Sequence, residues 1–317
     1  MKILITGVHG FVGSNLVKAL SRDNIIYGLD IIDPIKEGVK FTFKWEDLYK
    51  EGMIPEMDAI IHLAGKAHDT KNQAAADVYF KVNRDLTIKM FDYFCAHPNI
   101  KKFLFFSTAK AAADKVEGVL TEDVVPAPVG PYGESKIAAE RYILDALEAR
   151  INEFTDRGVY IFRPCMIHGP GNKGNLNLLY NLVKKGIPWP LGAFVNRRTF
   201  TSVENICFAV NGVLTKNVAS GIYNMGDDET LSTNELIEEI CKSLGKKAHI
   251  WKLPKGMMKG AAKVGGWLHL PLNPERLRKL TENYISSNAK IKAALGVNKM
   301  PVDARNGLKV TLDSFSK

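Results

Sequence analysis

The run Thr6-Gly7-Val8-His9-Gly10-Phe11-Val12-Gly13 separates an apolar pentapeptide at residues 2–6 from an amphipathic stretch at residues 11–21. A strand that leads into a helix through glycines at three-residue intervals must turn tightly, and it leaves the backbone open to close approach. The N–H groups that begin the helix then face whatever anion comes near. A second apolar strand at residues 25–30 completes a βαβ unit. The runs at 40–43, 59–63, 103–107 and 159–163 are almost continuously apolar, as strands covered on both faces of a parallel sheet must be. Helical periodicity at 77–96 and 132–150 falls between them. The pattern predicts an α/β fold, a doubly wound parallel sheet that takes ligands beyond the carboxyl ends of its strands.

Beyond about residue 170 the texture changes to Gly- and Pro-punctuated segments, Gly169-Pro170-Gly171 and residues 186–190, followed by separate helical patches. This predicts a dinucleotide-binding domain at 1–170, with a return segment near 199–224, and a smaller, mostly helical substrate lobe at 171–317. The apolar, glycine-containing stretch 255–270 reads as a packed helix of that lobe rather than a membrane anchor. A chain of 317 residues, 46% of them hydrophobic, can bury a large core. Its +9 formal charge is spread in short pairs such as Lys101-Lys102, Lys184-Lys185 and Arg197-Arg198, so no nucleic-acid-binding stripe is expected. The four cysteines are far apart, which argues for reduced thiols rather than a metal or redox framework. With no leader or spanning run to read, the expected compartment is the cytoplasm and no membrane insertion is expected.

Several side chains carry chemistry. Asp30 lies 23 positions after Gly7 at the end of the second strand, where a carboxylate can accept hydrogen bonds from adenosine ribose hydroxyls and repel a 2′-phosphate. That favours NAD over NADP. Tyr132 and Lys136 share a helix face behind Pro131, which suits a first helical position. A phenol with a pKa of about 10 needs nearby positive charge to exchange protons at neutral pH, and Lys136 together with an oxidised nicotinamide would supply it. Thr108, at the end of the strand 103–107, can hydrogen-bond a reacting oxygen, and Ser107 could do the same. His62 and His68 have no partner at ligand spacing, so both read as structural or ligand-adjacent and no metal is expected. No Gly-x-Ser-x-Gly elbow of a serine hydrolase occurs.

Taken together, the loop 6–13, Asp58-Ala59-Ile60-Ile61-His62-Leu63-Ala64-Gly65, Val82-Asn83, Ser107-Thr108, Tyr132 with Lys136, and Arg163-Pro164 before His168-Gly169-Pro170 resemble the extended short-chain dehydrogenase/reductase family, the NAD-dependent epimerases and dehydratases. The resemblance covers most of the chain. It implies a Rossmann-like fold in which Tyr132 is the catalytic acid or base, Lys136 holds the ribose and lowers the phenol's pKa, and Thr108 assists. It implies NAD contacts from Gly7, Gly10, Phe11, Val12, Gly13, Asp30, Leu63, Ala64, Gly65, Asn83, Ser107, Tyr132, Lys136 and Arg163. The second lobe resembles members that handle UDP-hexoses, with Lys66, Thr108, Asn175 and Arg198 as substrate contacts. A planar guanidinium at Arg198 suits paired phosphate oxygens.

Departures from the family pattern narrow the reading. The 4,6-dehydratases carry an acidic pair directly after the catalytic threonine, where this chain has Ala109 and Lys110. His168 replaces a frequent tyrosine, and Thr199 replaces an acidic residue, which predicts an atypical sugar pocket. The expected activity is C4 epimerisation of a UDP-hexose or UDP-N-acetylhexosamine. A 4-keto reductase consuming NAD(P)H, or a non-catalytic dinucleotide sensor, are the alternatives. Family likeness further implies surface-polysaccharide precursor synthesis and a homodimer.

Overall fold

The computed structural model describes residues 1–67, 75–172, 174–267 and 272–315; His68 and the end of the stretch expected to run to residue 270 lie outside them. Seven strands form the central sheet in the order Gly221–Met225, Gly158–Pro164, Lys102–Phe106, Ala59–His62, Lys2–Thr6, Ile25–Leu29, Val39–Phe43. All adjacent pairs are parallel. The chain enters at Lys2–Thr6, winds outward to Val39–Phe43, and then crosses to the other side of the first strand. That reversal opens a crevice at the carboxyl ends of Lys2–Thr6 and Ala59–His62, which are direct neighbours in the sheet.

Alternation along the strands divides the core into two layers. Ile3 and Ile5 cluster with Leu16, Val17 and Leu20 of helix Phe11–Leu20 and with Ile206, Val210 and Val213 of helix Val203–Thr215. Leu4, between them, joins Phe91, Phe94, Phe103 and Ile143 on the opposite face. Burial of each such side chain contributes roughly 1.5–3 kcal/mol, so both layers resist any slip that would move the strand ends. A third cluster, including Leu176, Tyr180, Trp189, Ile237, Ile240 and Leu308, forms the core of the helical C-terminal portion.

One detail differs from the sequence expectation. The helical run 77–96 is not one α-helix: Ala76–Tyr79 passes into a π-helix at Phe80–Asp85 before Leu86–Ala96 resumes α-geometry. His168 and Thr199, expected to mark an unusual sugar pocket, are both buried scaffold residues. His168 Nδ1 lies 2.9 Å from Thr311 Oγ1, and its other nitrogen lies 3.6 Å from Asp227, whose carboxylate also accepts from Ser202 and Asn205. Thr199 Oγ1 accepts from the Ser286 amide at 3.0 Å. Both residues join strands to the C-terminal segments rather than open to a ligand. Among the described residues no helix is long and apolar enough to cross a membrane.

Candidate active site

The glycine loop turns so tightly that Gly7 and Gly13 have no comfortable room for a side chain. Gly7 has φ of +67°, and a Cβ there would lie 3.1 Å from the Ala64 nitrogen; at Gly13 it would lie 2.4 Å from the Gly7 carbonyl oxygen. Helix Phe11–Leu20 begins at Gly10 without a side-chain cap. The first-turn amides of Phe11, Val12 and Gly13 have no intrahelical acceptors, and the positive end of the helix dipole adds to their attraction for an anion. Asp30 follows the second strand, with one carboxylate oxygen 3.1 Å from the His9 amide and the other 2.8 Å from the Ile31 amide. Its carboxylate is therefore fixed beside the loop. A tightly packed glycine loop, a helix start and a fixed carboxylate together fit the pyrophosphate and ribose of a dinucleotide.

The opposite lip is built by hydrogen bonds that converge on the end of Ala59–His62. Thr6 Oγ1 accepts from the Leu63 and Ala64 amides at 3.1 and 3.0 Å and lies 2.7 Å from His62 Nδ1. Thr87 donates its hydroxyl proton to the Asn83 carbonyl, so His62 Nε2, 3.0 Å away, is the donor in that pair and Nδ1 accepts from Thr6. His62 is fully buried and neutral: desolvation, with Lys136 adding to it, holds its pKa down at about 3. It is structural. A Cβ on Gly65 would lie 3.0 Å from Asn83 Oδ1 and 3.1 Å from Lys136 Nζ, so the absence of a side chain there lets the loop backbone approach the lysine.

Helix Pro131–Ala149 presents the reactive pair. Gly130, at φ of +88°, turns the chain into it and Pro131 takes the first helical position. The Tyr132 phenol is hydrogen-bonded to Thr108, with the Tyr79 ring edge-on at 6.5 Å. Thr108 is itself fixed as the cap of the short helix Ala109–Ala112. Burial pushes the phenol's pKa up, the Thr108 bond pulls it back, and Tyr79 adds to the rise. Lys136 donates to the Phe106 carbonyl at 2.8 Å and lies over the Phe105 ring. Burial lowers its pKa to about 8 against the opposing pull of Glu140. In the protein alone desolvation dominates the phenol and the Lys136 ammonium is held by a strand-end carbonyl; the lowering expected from Lys136 together with an oxidised nicotinamide belongs to the cofactor-bound site.

Two supporting residues, Glu140 and Ser135, escaped the sequence reading. Glu140, fully buried, accepts from Ser107 Oγ and from Arg163, whose Nε lies 3.1 Å from each carboxylate oxygen. Ser107 is thereby turned inward, which leaves Thr108 as the hydroxyl beside Tyr132. Arg163, expected to contact the cofactor, is 1% exposed and paired with Glu140, so it would act on a ligand through Glu140 and Ser107. Ser135 donates to the Tyr132 carbonyl at 2.9 Å and accepts from Asn83 at 3.0 Å. Asn83, inside the π-helix, also bonds both the amide and the carbonyl of Lys66 at 2.7 and 3.1 Å. One amide side chain therefore joins the loop after Ala59–His62 to the Tyr132 helix. A π-turn at such a position is a recurring feature of functional sites.

The expected substrate contacts are dispersed. Lys66 lies in this group, its ammonium 5.9 Å from the Tyr79 ring centre. Asn175 is exposed at the start of helix Asn175–Lys184, and Arg198 begins strand Arg198–Ser202, its guanidinium donating to the Lys279 carbonyl. Among the described residues no hydrogen bond joins either of them to the Tyr132 group. Lys110 is held by the Asp114 carbonyl at 2.7 Å and its carboxylate at 3.2 Å, over the Tyr284 ring.

Comparison with known proteins agrees with this geometry. The NAD dependent epimerase/dehydratase family matches residues 3–226. The UDP-glucose 4-epimerase of Vibrio cholerae is 30% identical over 267 residues, covering 80% of this chain and 78% of that protein. The N-acetyl-alpha-D-glucosaminyl-diphospho-ditrans,octacis-undecaprenol 4-epimerase of Escherichia coli O157:H7 is 29% identical over 268 residues, 81% of this chain and 77% of that protein. The crystal structure of UDP-glucuronic acid 4-epimerase from Bacillus cereus in complex with NAD superposes with a TM-score of 0.75 at 21% identity, covering 100% of this chain and 99% of that one, which shows the shared fold. The chain belongs to the NAD dependent epimerase/dehydratase family, enzymes of the extended short-chain dehydrogenase/reductase type that use NAD.

Proposed function

We propose that this chain is a 4-epimerase of a nucleotide-activated hexose, a UDP-hexose or UDP-N-acetylhexosamine, acting by transient oxidation at C4. The observation that carries the reading is the Tyr132 phenol bonded to Thr108 at the carboxyl end of the sheet, with Lys136 one helical turn further on. The glycine loop and Asp30 would hold the dinucleotide. When bound, NAD supplies the hydride acceptor and donor and, in its oxidised form, a positive ring charge. Tyr132, as phenolate, takes the proton of the C4 hydroxyl and returns it when the 4-keto sugar is reduced on the other face. Thr108 bonds the same oxygen and keeps it within reach. Because burial alone raises the phenol's pKa, its ionisation near neutrality depends on cationic charge, and Lys136 is the residue placed to contribute it.

Dehydration across C5 and C6 needs its own acid and base. Ala109 is apolar, and Lys110 is committed to Asp114 and Tyr284, so the position after Thr108 offers neither. Purified protein incubated with UDP-glucose or UDP-N-acetylglucosamine and sub-stoichiometric NAD tests the reading. Accumulation of the C4 epimer without net change in reduced-nicotinamide absorbance is expected. Stoichiometric consumption of NAD(P)H with a 4-keto sugar would instead make it a reductase, and no conversion of any UDP-sugar would sink both.

A further inference from the structure

Helix Lys255–Trp267 packs through Met258, Ala262 and Gly265, half-buries Gly266 and leaves its other residues exposed. Met257 is 51% exposed, Val264 55% and Trp267 81%, and Trp251, just before the helix, is 54% exposed. At about 100° per residue, Met257, Ala261 and Val264 fall within roughly 60° of arc on one flank, with Trp267 towards the outermost line. Lys255, Lys259 and Lys263 recur every four residues on the other flank, and Lys252 precedes them. Residues 251–267 contain no aspartate or glutamate. No ion pair within 4.0 Å is found for Lys252, Lys259 or Lys263 among the described residues. Lys255 lies over the Phe194 ring, 5.8 Å from its centre. Reading the chain for adjacent basic pairs misses this row because its members are spaced by a helical turn.

We infer that this helix docks the C-terminal lobe on an anionic lipid bilayer. An apolar stripe ending in tryptophan, flanked by lysines in a segment without acidic residues, combines the two terms that hold an interfacial helix on a membrane: shallow burial of apolar and aromatic groups, and attraction to acidic headgroups. Charge complementarity selects the partner, since a second copy of this lobe would bring the same lysine row against itself. The attachment is peripheral and reversible, parallel to the surface, and does not depend on the enzymatic reading.

The test is co-sedimentation of the full chain with phosphatidylcholine vesicles and with vesicles that also contain phosphatidylglycerol, at low and high salt. Binding only to the anionic vesicles, weakening with salt, is expected, with a blue shift of tryptophan emission that Trp267→Ser diminishes. Lys259→Ala combined with Lys263→Ala should lower the partition coefficient roughly 30-fold, at about tenfold for each 1.4 kcal/mol and a lysine contribution of about 1 kcal/mol each. Far-ultraviolet circular dichroism and the urea unfolding midpoint of the variants in the absence of vesicles serve as the folding control. Equal sedimentation with both vesicle types, or variants that partition like the parent, would overturn the inference. So would concentration-dependent self-association, abolished by Trp267→Ser, without vesicle binding.

Discussion

Replacing Glu140 with glutamine removes one charge from a pair that has no access to water. Glu140 is 0% exposed and Arg163 1%, and the arginine's Nη1 already has no partner. The amide preserves one acceptor oxygen but strands the guanidinium and turns an NH₂ towards either Arg163 or Ser107, both of which donate there in the native protein. Breaking a buried pair from one side costs roughly 3–5 kcal/mol. At a urea dependence of roughly 3 kcal/mol per molar, the unfolding midpoint of Glu140→Gln should fall by about 1 M or more. Removing both charges with Glu140→Leu and Arg163→Met should recover most of the loss, because nothing charged is then left without a partner. The same substitution has a catalytic signature. Glu140 is the group that opposes the lowering of Lys136's pKa from its usual value to about 8, so its loss should move the alkaline fall in kcat to lower pH. Urea unfolding followed by circular dichroism measures the first effect and a kcat–pH profile the second. A single variant within about 1 kcal/mol of the parent, or a double variant no better than the single, would refute the buried-pair argument.

Two further outcomes follow from the same geometry. The His62 imidazole is held near a pKa of about 3 against 6.5 when unfolded, so between these values the unfolded chain binds the extra proton. Its contribution to stability is present above pH 6.5 and is lost as pH falls towards 3; His62→Gln should flatten that slope in acid titrations, and an unchanged slope would contradict it. Asp30→Ala removes a carboxylate fixed beside the glycine loop, and NAD affinity should fall roughly 10- to 100-fold with little change for NADP, measured by calorimetry. A parent protein that prefers NADP would contradict that assignment.

How much of this was legible in the sequence varies with the kind of interaction. The winding of the sheet follows from apolar runs and glycine punctuation, because those encode burial and backbone geometry locally. Tyr132 and Lys136 were legible as a helix-face pair, but the burial that raises the phenol's pKa in the protein alone was not, since desolvation depends on what the fold packs around the ring. Glu140 resembles any solvated helix carboxylate until Arg163 is noticed as a charge inside the apolar strand Gly158–Pro164, where a buried partner is obligatory. Asn83 was placed near the cofactor by resemblance, but its bonds to Lys66 and Ser135 depend on a π-turn that no periodicity announces. The contacts of His168 with Thr311 and Asp227 were not legible, because both partners are distant in sequence.

The proposed mechanism stands or falls on the hydroxyl of Tyr132. Comparing Tyr132→Phe with the parent for interconversion of C4-epimeric UDP-sugars, with NAD binding measured in parallel, isolates that one oxygen. A fall in kcat of about 10²- to 10⁴-fold with NAD still bound is expected. Turnover undiminished without the phenol would contradict the mechanism.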